Sequence, residues 1–137
     1  MDLEQFKNLQ EIIEKQLEWD EENILEMEKK LGKIFQRLTD IFFKVKVTVD
    51  NLDLDIKKMY SDLYVSLKQT SKISFDNNNK IDNYINSDQA YYNLNVEFNT
   101  KKAMLDWIEK TLSNINNVKF EIKDFMNWKM FKSGASF

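Results

Sequence analysis

From Leu31 to Leu63 the chain repeats apolar residues at alternating steps of four and three: Leu31, Phe35, Leu38, Phe42, Val45, Val49, Leu52, Ile56, Met59 and Leu63. That 3.5-residue period is the seam of a coiled coil, and the residues between, such as Lys33, Arg37, Lys44, Asp50 and Lys57, are its solvated remainder. The pattern predicts a long helix over 31–65. Within it, Val45-Lys46-Val47-Thr48-Val49 and Leu52-Asp53-Leu54-Asp55-Ile56 also alternate at period two around Asp50-Asn51, which leaves a β-hairpin open for 45–56. The heptad register persists on both sides of that turn without a slip, which favours one continuous helix.

Upstream, Leu3, Phe6, Leu9 (or Ile13), Ile12 and Leu17 trace one face of an N-terminal helix. The cluster Glu18-Trp19-Asp20-Glu21-Glu22 either ends that helix or lies within it, and Trp19 reads as a half-buried cap or an exposed docking aromatic. Downstream, residues 66–86 are mostly polar, rich in Ser and Asn, and read as a loop carrying Lys68, Lys72 and the lone aromatic Phe75. Such a segment is either a solvated connector or a basic strip able to stack on single-stranded bases. Ser87-Asp88 is a suitable N-cap for a second long helix over 87–116, with Tyr91, Leu94, Phe98, Leu105, Ile108, Leu112 and Ile115 at helical spacing. Asn116-Asn117 is expected to close it, and a C-terminal helix is expected over 118–133, ended by Gly134.

The expected fold is therefore all-α: a long central helix packed on a second long helix and a short C-terminal one, in a single domain of 137 residues with an acidic N-terminal arm over 1–30. The absence of Pro and the presence of only two Gly support long helices. A helix of 35 residues is about 50 Å long, more than so small a domain is expected to cover. Homo-oligomerisation follows as an expectation, with Leu38, Phe42, Val45 and Val49 on the long helix, and Phe120, Phe125, Trp128 and Phe131 near the C-terminus, as its interface.

Composition narrows the chemistry. The chain has no Cys and no His, which removes disulfides, His-based triads and zinc sites. It lacks a phosphate-binding GxxxxGK[ST] loop. No enzymatic activity, metal or cofactor is expected. With no signal peptide and no apolar run of membrane length, a soluble intracellular protein is expected. The net charge of −3 hides a division: residues 1–30 carry −6, and the remainder +3. Charge of this kind solvates helix faces, or serves two different kinds of partner.

The string NNVKFEIKDFMNWKMFKSG over 116–134, preceded by AMLDWIEKTLSNI, resembles the C-terminal signature of the UvsY-type recombination mediators of tailed phages. The positions that carry it are Phe120, Ile122, Lys123, Trp128, Lys129, Phe131 and Gly134, with Tyr84-Ile85-Asn86-Ser87-Asp88 upstream. The likeness covers 81–134 closely and 20–70 by pattern. It implies a small, ring-like homo-oligomer that acts in the infected host's cytoplasm. Such a protein would bind single-stranded DNA, the phage single-stranded-DNA-binding protein and a RecA-like recombinase, loading the recombinase onto coated DNA. The family's DNA-binding basic pair near a Tyr-containing segment is matched best by Lys57 and Lys58, with Tyr60 and Tyr64 following and Lys68 and Lys72 sharing the work. Asp62 lies in the same turn. A coiled-coil scaffold or virion component that binds no DNA is the rival reading.

Overall fold

The computed structural model describes residues 1–70 and 78–134; the expected site residue Lys72, and Phe75, lie outside them. Among the described residues there are four helices and no strand: α1 (Leu3–Gln16), α2 (Ile24–Thr70), α3 (Asn78–Asn86) and α4 (Gln89–Lys132). The helices gather into two compact units, 1–44 with 105–137 and 45–104. Both α2 and α4 contribute to each.

In the first unit, α1 opens with a capping box: Asp2 Oδ1 accepts from the Gln5 amide at 2.8 Å, and Gln5 Oε1 accepts from the Asp2 amide at 3.0 Å. It buries Phe6, Leu9 and Ile13, while Leu3 and Ile12 stay exposed. Phe6 meets Trp107 edge-on, ring centroids 5.4 Å apart. The acidic cluster is a turn. Asp20 Oδ1 accepts from the amides of Glu22 and Asn23, both at 3.0 Å, and Asn23 Oδ1 accepts from the Asp20 amide at 2.7 Å. This exchange ends the chain's first reversal and starts α2 at Ile24, seven residues before the seam. Trp19 is half-buried, edge-on to Phe125 at 6.0 Å.

The hairpin alternative for 45–56 is resolved in favour of helix. Val45, Val49 and Leu52 are buried at helical spacing. On the outer side, Lys46 reaches Asp50 at 3.1 Å and Lys57 reaches Asp53 at 2.9 Å, i,i+4 pairs that only a helix aligns. Helix α4 also runs on through Asn116-Asn117, so the expected short C-terminal helix is the end of a 44-residue one. Ile115, Val118 and Ile122 carry the buried stripe across those asparagines, whose helix-interior cost is only a few tenths of a kcal/mol relative to the average polar residue. Gly134, with φ of +78°, closes the helix in the left-handed conformation.

In the second unit the described residues of the expected loop over 66–86 are helical, 66–70 and 78–86. Helix α2 continues to Thr70, and α3 buries Ile81 and Ile85. Asp88 caps α4, its Oδ1 accepting from the Tyr91 amide at 2.9 Å.

Gly32 lies inside α2, and a Cβ built on it meets nothing within 4 Å. Gly32→Ala should therefore stabilise the protein by up to about 1 kcal/mol, through helix propensity alone. A raised urea midpoint with unchanged slope checks this.

Candidate functional site

Helix α2 in the second unit carries most of the expected DNA-binding residues. At 100° per residue, Lys57, Tyr64 and Lys68 fall within about 40° of one another, and Tyr60 lies just beside them. Tyr60 and Tyr64 stack with ring centroids 6.3 Å apart and planes inclined by 25°. Tyr91, from α4, lies 6.3 Å from Tyr60. The Lys68 ammonium sits over the Tyr64 ring at 5.3 Å from its centroid. The site is thus two exposed lysines, about 16 Å apart along the helix by its rise, with a tyrosine row between and beside them.

Lys58 is on another side. It is exposed, about 100° round the helix from Lys57, and lines a shallow groove with Asp55, Asp62 and Leu94. The structure therefore separates the adjacent lysines that the sequence pairs. The acids nearby are not equivalent. Asp53 holds Lys57 in an exposed ion pair worth about 0.5 kcal/mol or less, which a phosphate can displace. Asp82, from α3, accepts a hydrogen bond from the Tyr60 hydroxyl.

That bond makes Tyr60 a structural member of the row. The hydrogen bond that the Tyr60 hydroxyl donates to the Asp82 carboxylate raises the Tyr60 pKa, and partial burial and the carboxylate's negative charge add to it. A raised folded-state pKa means the contact stabilises the fold fully below the unfolded phenol's value of about 10 and is lost as pH rises through the raised value. Tyr60→Phe should flatten the alkaline arm of the stability–pH curve relative to the unsubstituted protein. Denaturant midpoints on either side of pH ~10 check it, and identical arms would refute it.

The eight expected interface residues divide by burial. Leu38, Val45 and Val49 are covered within the chain, Leu38 completely. Phe42 and Phe125 are half-buried. Phe120, Trp128 and Phe131 are 65%, 53% and 74% exposed. Lys132 lies over the Trp128 ring at 4.5 Å from its centroid, and Lys129 pairs with Glu21.

Two features escaped the sequence reading. Tyr91 appears there only as a core position of its helix, because its partner Tyr60 is far away in sequence. Val47, Leu54 and Val65 form an exposed apolar line on the outer side of α2. Their spacings of seven and eleven residues bring them within about 20° of each other, a signal the stronger seam conceals. No helix among the described residues is long and apolar enough to cross a membrane.

The fold is shared with known structures. The bacteriophage T4 recombination mediator protein UvsY, in its crystal lattice type IV, matches with a TM-score of 0.81 at 14% identity, over 96% of this chain and 99% of that one. The same protein in lattice type II matches with a TM-score of 0.79 at 17% identity, over 97% and 98%. No curated protein sequence matches the chain. The model of the family described as "Recombination, repair and ssDNA binding protein UvsY" matches residues 5–135. With that match over nearly its whole length, and the helical fold of the T4 protein, the chain belongs to the UvsY family.

Proposed function

We propose that the protein is a phage recombination mediator that binds single-stranded DNA and helps load a RecA-like recombinase onto DNA coated by the single-stranded-DNA-binding protein. The observation that carries this reading is the row of Lys57, Tyr64 and Lys68 on one face of α2, the lysines exposed and the tyrosine half-buried between them, in a member of a family described as binding single-stranded DNA. The lysines supply charge for phosphates and the Tyr64 ring supplies a surface for a base. Tyr60 stacks on that ring, and Tyr91 in turn meets Tyr60. No step of this function requires nucleotide hydrolysis, since the work is mass action: a strand held at the row is presented to recombinase while its coat protein is loosened.

One row makes a weak contact. A homo-oligomer multiplies it, because each further subunit binds the same strand intramolecularly. Assembly is assigned to Phe120, Trp128 and Phe131, whose exposure in a single chain supports a role in covering by sister subunits. Leu38, Val45 and Val49 are left to the chain's own core.

Sedimentation velocity with and without oligo(dT) tests both parts together. More than one subunit per particle, and a complex that forms at low salt and dissolves as salt rises, is the expected result. A protein that sediments unchanged with oligo(dT) at low salt would instead favour a scaffold that binds no DNA.

A further inference from the structure

In the second unit's part of α4, Tyr91, Phe98 and Lys102 follow one another at steps of seven and four residues, which places them within about 40° of each other on the helix. Tyr91 and Phe98 are half-buried and Lys102 is exposed. The Lys102 ammonium lies over the Phe98 ring, 5.9 Å from its centroid. The same pairing stands on α2, where Lys68 lies over Tyr64 at 5.3 Å. A chain of ring contacts leads from one pairing towards the other: Tyr64 stacks on Tyr60, and Tyr60 meets Tyr91 at 6.3 Å. From Tyr91 to Phe98 is two turns of α4, about 10 Å by the helical rise.

We propose that a single strand held on α2 crosses at the Tyr60–Tyr91 contact onto α4, where the Phe98 ring takes a further base and Lys102 the phosphate beside it. The inference rests on the α2 row as a single-stranded-DNA contact and extends that contact to a second helix. What carries it is the repeated pairing of ring and lysine. An exposed lysine is held only weakly by a ring. It can swing to a phosphate and leave the ring face to a base, so each pairing supplies both halves of a nucleotide contact. Lys102 is in no ion pair among the described residues, whereas Lys57 must first leave Asp53.

The strip has an end. Asp106 and Glu109 come next on that side of α4, and carboxylates there repel a phosphate backbone. Two other lysines lie over rings near the end of α4, Lys129 over Phe125 and Lys132 over Trp128. Their setting differs. Lys129 pairs with Glu21, Phe125 is edge-on to Trp19, and Trp128 belongs to the surface assigned to sister subunits.

The test uses the full chain and fluorescently labelled oligo(dT). Lys102→Ala should flatten the plot of log K against log salt by about 0.7 for each subunit engaged on the strand. Phe98→Leu keeps apolar bulk at the edge of the core and removes the ring face, so it should weaken binding by about fivefold or more with the salt slope unchanged. A photo-cross-linking p-benzoylphenylalanine in place of Lys102 should join to the strand. The same group in place of Ala103, which is exposed and about 100° round the helix, should not. A slope that responds to Lys57 and Lys68 but not to Lys102, or cross-linking from position 103 alone, would overturn the crossing and leave the α2 contact standing. A slope that responds to Lys102 alone would overturn the α2 row and the crossing with it. A lower subunit number in Lys102→Ala would give the strip to a second copy, and so overturn the crossing as well.

Discussion

Leu38→Ala should cost about 2–5 kcal/mol of unfolding stability and leave the subunit number of the assembled protein unchanged. Leu38 is wholly buried within the single chain, so truncating it opens a cavity among that chain's own helices. The lost transfer energy and the lost contacts both fall on folding, and neither falls on association. Urea unfolding at fixed protein concentration measures the first effect, because association stabilises the folded state by mass action and must be held constant. Sedimentation at concentrations where the protein stays folded measures the second. Phe131→Ser should give the reverse result. Phe131 is 74% exposed, so the fold loses little when it is shortened, while an assembly covering that ring loses buried apolar area. If Leu38→Ala dissociated the particle without unfolding its subunits, the seam would lie between chains after all.

That contrast also shows how far the hydrophobic pattern could be read. Period 3.5 correctly marks α2 as one helix through 45–56, since a stripe at that period has only one way to be buried continuously. It does not say what buries the stripe. A 35-residue helix looks too long for a small domain only if its neighbours are short, and the neighbour is a 44-residue helix. Asn116-Asn117 concealed that length. Asparagine at a helix end and asparagine on a solvated helix face are the same letters, and the deciding fact is the buried trio Ile115, Val118 and Ile122 around them. Helix α3 was obscured for the opposite reason. Its fold depends on two isoleucines, Ile81 and Ile85, in a polar stretch, and on the contact of Asp82 with Tyr60 twenty-two residues away. Two anchors at i,i+4 are too short a pattern to oppose a run of Asn and Ser. At the candidate site, residue types were legible and their facing was not. Lys57 and Lys58 read as a pair, but consecutive helical positions diverge by about 100°, and only helical geometry shows which one joins Tyr64 and Lys68.

This divergence gives the strongest test of the proposed DNA contact. Binding of oligo(dT) should weaken linearly in log K against log salt, with each phosphate contact contributing about 0.7 to the slope. Lys57→Ala and Lys68→Ala should each flatten the slope by about that amount for every subunit engaged on the strand, and together by about twice as much. Lys58→Ala should leave it nearly unchanged, because that side chain lies round the helix beside Asp55 and Asp62. Tyr64→Ala separates stacking from charge. It should cost about 1–3 kcal/mol per stacked base with no change in slope, and Tyr64→Phe should retain most of the affinity because the ring face remains. The pair of readouts matters, since misfolding would lower affinity and slope indiscriminately, whereas the proposed site predicts one set of residues for each. Fluorescence titrations with oligo(dT) at several salt concentrations provide both numbers. A slope lost with Lys58 and kept without Lys57 and Lys68 would move the strand off the tyrosine row, to the groove on the other side of α2.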